Sequence, residues 1–336
     1  MTSEATIRGA GIYGLTLAWE LLSRGWQVTV IDPAGPGAGA SGNLVGALAP
    51  HVPENWTPLK ALQYECLVAA EPFWAEIEGM GQSPGYARTG RLQPLADADA
   101  EERALARATS AATLWPDHRW QAIDAPEGWT PLSPTGRVIF DTLTARVDAP
   151  RAIAALAHAI QMRGGAIETD APERGAVIHA TGAAGLDDLS AAMGKTAGKA
   201  IKGQAARLAY DAKDLPQIYA DGLHIVPHAD GTVGIGSTTE RDYDDLSTDT
   251  QLDDVITRVR IAVPALKDAP VTARWAGLRP RAKSRAPVID LWPDRPGHYV
   301  LNGGFKIGFG THIPAARLMA DLIETGHADI PDACRL

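Results

Sequence analysis

Cysteine is scarce in this sequence: Cys66 and Cys334 are the only two in 336 residues, and neither lies in a Cys-x-x-Cys pair or a Cys/His cluster. That excludes a disulfide framework and argues against structural zinc, so no metal is expected. No run approaches the roughly 18 consecutive apolar residues of a membrane span. The opening stretch, MTSEATIRGAGIYG, lacks a basic segment leading into an apolar run and a cleavage site, so no signal peptide is expected. Positive charge is also in deficit. The 31 Lys and Arg face 40 Asp and Glu, for a net charge of −9, which disfavours nucleic acid as a partner. A reducing cytoplasm is the expected location. G-x-x-x-x-G-K-[ST] and H-E-x-x-H are absent as well, which removes the readings those motifs carry.

Glycine and proline, by contrast, are plentiful at 34 and 24, which suits short strands, tight turns and ligand loops. The length predicts two domains or one large one. Strand and helix alternate at both ends, and the middle is richer in strands. Helices are predicted over Ile12–Arg24, Leu59–Glu78 interrupted or kinked at Pro72, Asp99–Leu114, Pro150–Arg163, Asp249–Val263 and Ile313–Thr325. In Pro150–Arg163, for example, Ile153, Leu156, Ala157 and Ile160 recur at helical spacing, and Gly164 and Gly165 stop the run. Strands are predicted at Thr6–Arg8, Val28–Ile31, Ala87–Leu95, Val138–Phe140, Ala176–Ala180, Gln204–Tyr210, Leu223–Val226, Thr232–Ile235, Val271–Trp275, Val288–Leu291 and Tyr299–Leu301.

One motif carries chemistry by its spacing. Gly9, Gly11 and Gly14 form G-x-G-x-x-G between a strand and a helix, and Asp32 ends the next strand 18 residues after Gly14. The first glycine permits a tight turn, the second lets a pyrophosphate approach the backbone, and the third lets helix and strand pack closely. The helix N-terminus then offers free N–H groups and a positive dipole to the phosphates. Ile12 and Tyr13 begin that helix, and Asp32 is placed to accept from a ribose. This βαβ unit implies a dinucleotide without separating FAD from NAD. Arg8 sits where an apolar residue usually precedes the first glycine, which leaves a phosphate contact and an outward-turned side chain both open.

A series of later motifs resembles the D-amino acid oxidase family of flavoproteins. That family includes glycine oxidase, sarcosine oxidase, D-amino acid dehydrogenases and the oxidase domain of a tRNA-modifying enzyme. Gly39–Pro50, GASGNLVGALAP, resembles the loop after the ribose acid, with Ser41, Gly42, Asn43 and Gly46 as expected cofactor contacts. Val147–Arg163 resembles the helix before the strand that returns under FAD, and Val177–Gly182, VIHATG, resembles that strand, ending at Thr181 and Gly182. Lys202-Gly203-Gln204 is similar to the entry into the substrate sheet. Gly277–Pro280, GLRP, followed by Ala286–Ile289, resembles the C-terminal signature. Gly303–Gly310, GGFKIGFG, resembles the loop over the flavin ring, which would bring Gly303, Gly304, Phe305, Lys306 and Ile307 to the cofactor. Only Thr169–Ala176 separate two strands that the family often joins by a longer excursion.

The resemblance implies an α/β fold in which a Rossmann-like FAD-binding domain (residues 1–56, 138–202 and 277–336) interleaves with an antiparallel-sheet substrate domain (57–137 and 203–276). It implies oxidation of the C–N bond of a small amine, an amino acid of the D-amino acid, glycine or N-methyl glycine type. The hydride goes to flavin, the imine hydrolyses, and electrons pass to oxygen or another carrier. Arg279 matches the arginine that grips the substrate carboxylate, a task suited to its two-pronged donor geometry. Lys306 matches a second cationic position, with flavin and substrate both open as its partner. His224 falls where the family places a carboxylate-holding tyrosine, and Tyr219 is the nearby phenol. His51 follows the ribose loop as a candidate for the flavin face. No cysteine occupies the position used for covalent flavin, so FAD is expected to be non-covalent. Two other readings remain: a tRNA wobble-uridine carboxymethylaminomethyl oxidase, suggested by Ser41–Pro50, and an FAD-binding subunit without turnover.

Overall fold

The computed structural model describes residues 3–336. The first strand, Glu4–Arg8, pairs in parallel with Gln27–Ile31 on one side and Ala176–His179 on the other. Between the first two strands runs the helix Ile12–Ser23, which buries Leu15, Leu17, Ala18 and Leu21. Close packing there is enforced by Gly14: a Cβ at that position would lie 1.9 Å from the Gly9 carbonyl oxygen. The complete sheet has six strands in the order Val288–Leu291, His298–Asn302, Ala176–His179, Glu4–Arg8, Gln27–Ile31, Ala166–Glu168. All neighbours are parallel except the first two, which form a hairpin. The helices Ala149–Met162 and His312–Thr325 pack against the first helix and share one hydrophobic core with it.

A second sheet of eight strands follows the order Val271–Ala282, Gly198–Ala209, Thr232–Gly236, Leu223–Pro227, Gln217–Ala220, Arg91–Pro94, Arg137–Asp141, Trp120–Asp124. Its separate core includes Leu208, Ile225, Ile235 and the inner face of the helix Thr250–Ala262: Leu252, Val255, Ile256 and Val259.

Several expectations need correction. The second sheet is not wholly antiparallel, because Gln217–Ala220 and Arg91–Pro94 run in parallel. These strands lie far apart in sequence, so no hairpin turn dictates their direction. The boundary expected at 138 falls inside Arg137–Asp141, which pairs only with strands of the second sheet. Those at 202 and 276 fall within two 12-residue strands, Gly198–Ala209 and Val271–Ala282, which pair along most of their length. Of Ala87–Leu95 only Arg91–Pro94 is a strand, while Ala87 makes an isolated bridge to Arg146. The helix Gly182–Met193 and the strands Trp120–Asp124 and Gln217–Ala220 were not expected. Pro72 lies within a continuous helix, Pro58–Glu78. No helix among the described residues is long and apolar enough to cross a membrane.

Candidate active site

One cavity of about 1520 Å³ runs between the two sheets. Small-molecule sites usually occupy roughly 300–1,000 Å³, so this one has room for a dinucleotide and a further ligand. At one end lie Gly9, Gly11, Ile12, Tyr13, Asp32, Ser41, Asn43, Thr181 and Gly182; elsewhere it is lined by Gly46, His51, Tyr219, His224, Arg279, Gly304, Phe305, Lys306 and Ile307.

The glycine motif divides its labour as its spacing predicts. Gly9, at φ +107°, lies against the returning strand, and a Cβ there would come within 2.3 Å of the Ala180 carbonyl oxygen. Gly14 serves packing alone and does not line the cavity. Gly11 is the position left open, since a Cβ there would meet only the Ser41 hydroxyl, at 3.2 Å. The Ile12 N–H donates to Ser41 Oγ (3.0 Å), which ties the ribose loop to the helix. Asp32 accepts from the Ala10 and Ala34 N–H groups at 2.8 and 3.0 Å. It therefore fixes two turns at the cavity wall as well as facing the cavity. Arg8 lines the cavity in an ion pair with Glu173 at 2.5 Å.

Two further positions expected to touch the cofactor, Gly42 and Gly303, do not line the cavity. A Cβ on Gly42 would lie 2.3 Å from the Gly37 carbonyl oxygen, and one on Gly303, at φ +79°, would lie 2.8 Å from Ala282 Cβ. Both have protein atoms where a side chain would stand, so each shapes its loop. Asn43 lines the wall while holding its own loop, with Oδ1 accepting from the Val45 N–H at 2.9 Å. Tyr13 reaches across to Thr311, with their hydroxyls 2.7 Å apart.

At the far end Arg279 is 8% exposed and lines the cavity. It donates to the Thr238 carbonyl (3.1 Å) and Ser237 Oγ (2.5 Å), both neutral acceptors. Burial lowers its guanidinium to about 10, opposed by Glu240. Glu240 itself is buried, accepts from Gln204 Nε2 at 3.0 Å and stands 3.4 Å from Lys202 Nζ. Lys306 is exposed to the cavity; desolvation by its walls, then the Arg279 charge, lowers its ammonium below the ordinary lysine value. Tyr219 and His224 face each other across a hairpin, with ring centroids 4.8 Å apart. Burial, then Arg91 and Lys306, push His224 down to about 3, so the ring is neutral at ordinary pH. His51 lies at the cavity wall beside Gln63 Oε1.

Sequence reasoning missed Arg91. This residue is 5% exposed, bonds the fully buried Asp141 through Nε at 2.9 Å and lines the cavity. The missing signal was the parallel joint that carries it into the site, which no local pattern announces. The helix Gly182–Met193 was missed too. Its N-terminus has no side-chain cap, and neither does that of Ile12–Ser23.

A family model for FAD dependent oxidoreductases matches residues 4–322. The chain belongs to that family. It is 25% identical over 362 residues to a glycine oxidase of Pseudomonas putida, covering 99% of this chain and 97% of that protein. Its fold superposes on a glycine oxidase from Geobacillus kaustophilus with a TM-score of 0.82 at 21% identity, covering 98% of this chain and 97% of that one. The corresponding values for an iminodiacetate oxidase from Chelativorans sp. BNC1 are 0.85 and 21%, with 97% of each chain covered. A shorter match reaches a tRNA 5-methylaminomethyl-2-thiouridine biosynthesis bifunctional protein of Ralstonia nicotianae, 34% identical over 108 residues, 31% of this chain and 16% of that protein.

The protein is thus an FAD-dependent oxidoreductase, and its residues fit that cofactor. The N-termini of Ile12–Ser23 and Gly182–Met193, neither capped by its own N-cap side chain, and the open face of Gly11 border one cavity, an arrangement that suits a pyrophosphate.

Proposed function

We propose that this flavoenzyme oxidises the C–N bond of a small carboxylated amine, of the D-amino acid, glycine or N-methyl glycine type. The observation that carries this reading is Arg279: a nearly buried guanidinium opens on the cavity with only neutral protein acceptors. A buried cation so placed calls for an anion, and a carboxylate meets a guanidinium edge with two charge-assisted bonds. The relationship to glycine oxidase supports the same chemistry.

FAD, when bound, supplies the hydride acceptor. The protein's own part is to bind and orient. Arg279 holds the carboxylate, Lys306 adds positive charge beside it, and Tyr219 with neutral His224 offers polar contacts without a second cation. Gly9, Gly11, Ile12, Tyr13, Asp32, Ser41, Asn43, Gly46, Thr181 and Gly182 would hold the nucleotide, and Gly304, Phe305, Lys306 and Ile307 the ring end. The cysteines offer no cysteinyl link to the flavin, which supports non-covalent FAD. Both are buried off the cavity wall, and burial raises the Cys66 thiol to about 12 and the Cys334 thiol to about 11.

The test is anaerobic mixing of the FAD-loaded protein with D-amino acids, glycine, sarcosine and the corresponding amines that lack a carboxylate. Flavin bleaching by carboxylated amines alone is the expected outcome. Bleaching by none of them overturns the reading. The local match to the tRNA-modifying protein favours a second reading, for which carboxymethylaminomethyl-uridine belongs in the same panel. The net charge of −9 weighs against an RNA partner.

A further inference from the structure

Arg91 is a buried cation that the binding scheme above does not use. It sits on the strand Arg91–Pro94 opposite Asp141, and its ring neighbour is Tyr219, whose centroid is 5.9 Å from the guanidinium carbon. Among the described residues Asp141 is its one hydrogen-bond acceptor, reached through Nε. The two Nη groups have no protein acceptor, and the side chain lines the cavity. Those donors are not sealed inside the protein; they open on the cavity, where water or a ligand can meet them. A guanidinium held by its Nε side presents its Nη edge to whatever enters the cavity, in the geometry that suits a carboxylate.

The charge balance points the same way. The acidic residues lining the cavity are Asp32, Glu173 and Asp188, none of them on the strands that carry Arg91 and Arg279. Toward the other end stand Arg91, Arg279 and Lys306, and Asp141 is bonded to the first of them. Lys306 makes no ion pair among the described residues, and Glu240, behind Arg279, is matched by Lys202. Arg279 and Lys306 are therefore left without a protein counter-charge, which gives this end of the cavity a net positive charge that favours more than one ligand carboxylate, while Arg91, balanced by Asp141, contributes its free Nη donors. Arg91 and Arg279 also lie on different strands of the eight-stranded sheet, five strand spacings apart. Both side chains nonetheless line the one cavity. His224 stands between the poles, its charged form disfavoured by burial and by both Arg91 and Lys306.

We propose that Arg91 is a second anion-binding residue of the substrate site and that the preferred substrate is an amine bearing two carboxylates, one held at Arg279 and the other at Arg91. This rests on the amine-oxidation reading and narrows it. Arg91 then acts as a specificity-determining residue, and a glycine-sized substrate leaves it without its anion.

The experiment uses FAD-loaded protein and has two readouts. The first is the flavin absorbance shift on titration with unreactive anions: the diacids thiodiacetate, succinate and glutarate against the monoacids methylthioacetate and butyrate. The second is the anaerobic rate of flavin reduction by iminodiacetate and by D- and L-aspartate and glutamate, against glycine, sarcosine and D-alanine. The expected result is that at least one diacid binds about ten- to a hundredfold more tightly than its matched monoacid, as one further charge-assisted contact implies. The dicarboxylate amines should show a similar preference in reduction. In the double variant Arg91→Gln/Asp141→Asn, which removes both partners of the buried pair together, that preference should collapse. Equal binding and equal reduction of mono- and diacids by the wild-type protein overturn the inference and leave the amine reading intact. An unchanged diacid preference in the double variant overturns the assignment to Arg91. Failure of every amine to reduce the flavin overturns the amine reading and this inference with it.

Discussion

Gly203 and Arg279 occupy neighbouring positions on paired strands, and a Cβ built on Gly203 would lie 2.0 Å from Arg279 Nη1 and 2.1 Å from its Cζ. The glycine therefore leaves the space in which the guanidinium lies. Because the obstructed atoms are the far end of a flexible side chain, Gly203→Ala should displace the guanidinium without disrupting the sheet. The expected outcome is wild-type flavin content and little change in Tm, with kcat/KM for a carboxylated amine down about tenfold, the loss of roughly one hydrogen bond to a charged group. Full activity in this variant would show that the guanidinium need not lie over Gly203.

Arg279 itself gives the direct test. A charge-assisted hydrogen bond is worth about 1.5–3 kcal/mol, so Arg279→Ala should lower kcat/KM by roughly ten- to a hundredfold. Arg279→Lys should recover only part of this, since an ammonium lacks the bidentate fork. Arg279 lies away from the glycine motif, so both variants should retain FAD. Loss of flavin from Arg279→Ala would instead mark the residue as structural.

The nucleotide half of the fold was legible because its rules are local. Strand, three glycines, helix, strand and Asp32 follow one another within about 30 residues; Gly9 and Gly14 find the close approach their positions imply, and Gly11 is left open to the cavity. Arg279, Lys306, His224 and Tyr219 were named from the sequence and do line one cavity. Three expected contacts do not, because a glycine in a ligand loop can serve the loop: Gly14, Gly42 and Gly303 each have protein atoms where a Cβ would stand. The helix Gly182–Met193 was hidden by its sequence, GAAGLDDLSAAM, which buries only Gly185, Leu186 and Leu189 and so lacks a clear apolar stripe. Arg91 was hidden for a different reason. Its neighbours Gln217 and Asp141 are brought to it by long-range strand pairing, and no spacing within the sequence reports that.

Gly11 and Gly14 should separate cofactor binding from folding. At Gly14 the obstructing atom is the backbone oxygen of Gly9, 1.9 Å from where a Cβ would stand, and it cannot swing away. Gly14→Ala should therefore destabilise the βαβ unit by about 1–3 kcal/mol or more, as overpacking does, with a lower Tm even in the apoprotein. Gly11→Ala meets only the movable Ser41 hydroxyl. It should keep the apoprotein Tm yet weaken FAD, because its methyl group stands where the pyrophosphate must approach. Thermal unfolding with and without FAD reads both effects. Equal loss of apoprotein stability in the two variants would contradict this division.

Acid should destabilise the fold through buried histidine, and His312 is the cleanest case. Its ring is fully buried, with Nδ1 2.8 Å from Thr16 Oγ1 and aromatic neighbours Phe73 and Trp74 at centroid distances of 5.2 and 5.5 Å. Burial lowers it from 6.5 to about 3. The folded state thus keeps the ring neutral at a pH where the unfolded chain protonates it. Between about pH 3 and 6.5 the unfolded state binds more protons, so stability rises with pH through that window and levels off above it. The contribution is present in full above the unfolded value and is lost as pH falls toward the folded one. Each such histidine steepens the dependence by up to about 1.4 kcal/mol per pH unit. His224, at about 3, and half-buried His179, at about 4, act in the same direction. Between pH 5 and 6.5 most carboxylates are already ionised in both states, so histidines dominate the slope there. Urea unfolding of wild type and His312→Asn across that range should show a shallower pH dependence in the variant, whatever its absolute stability. Parallel slopes would mean that His312 accepts a proton in the folded protein, through an opening of the aromatic shell around it.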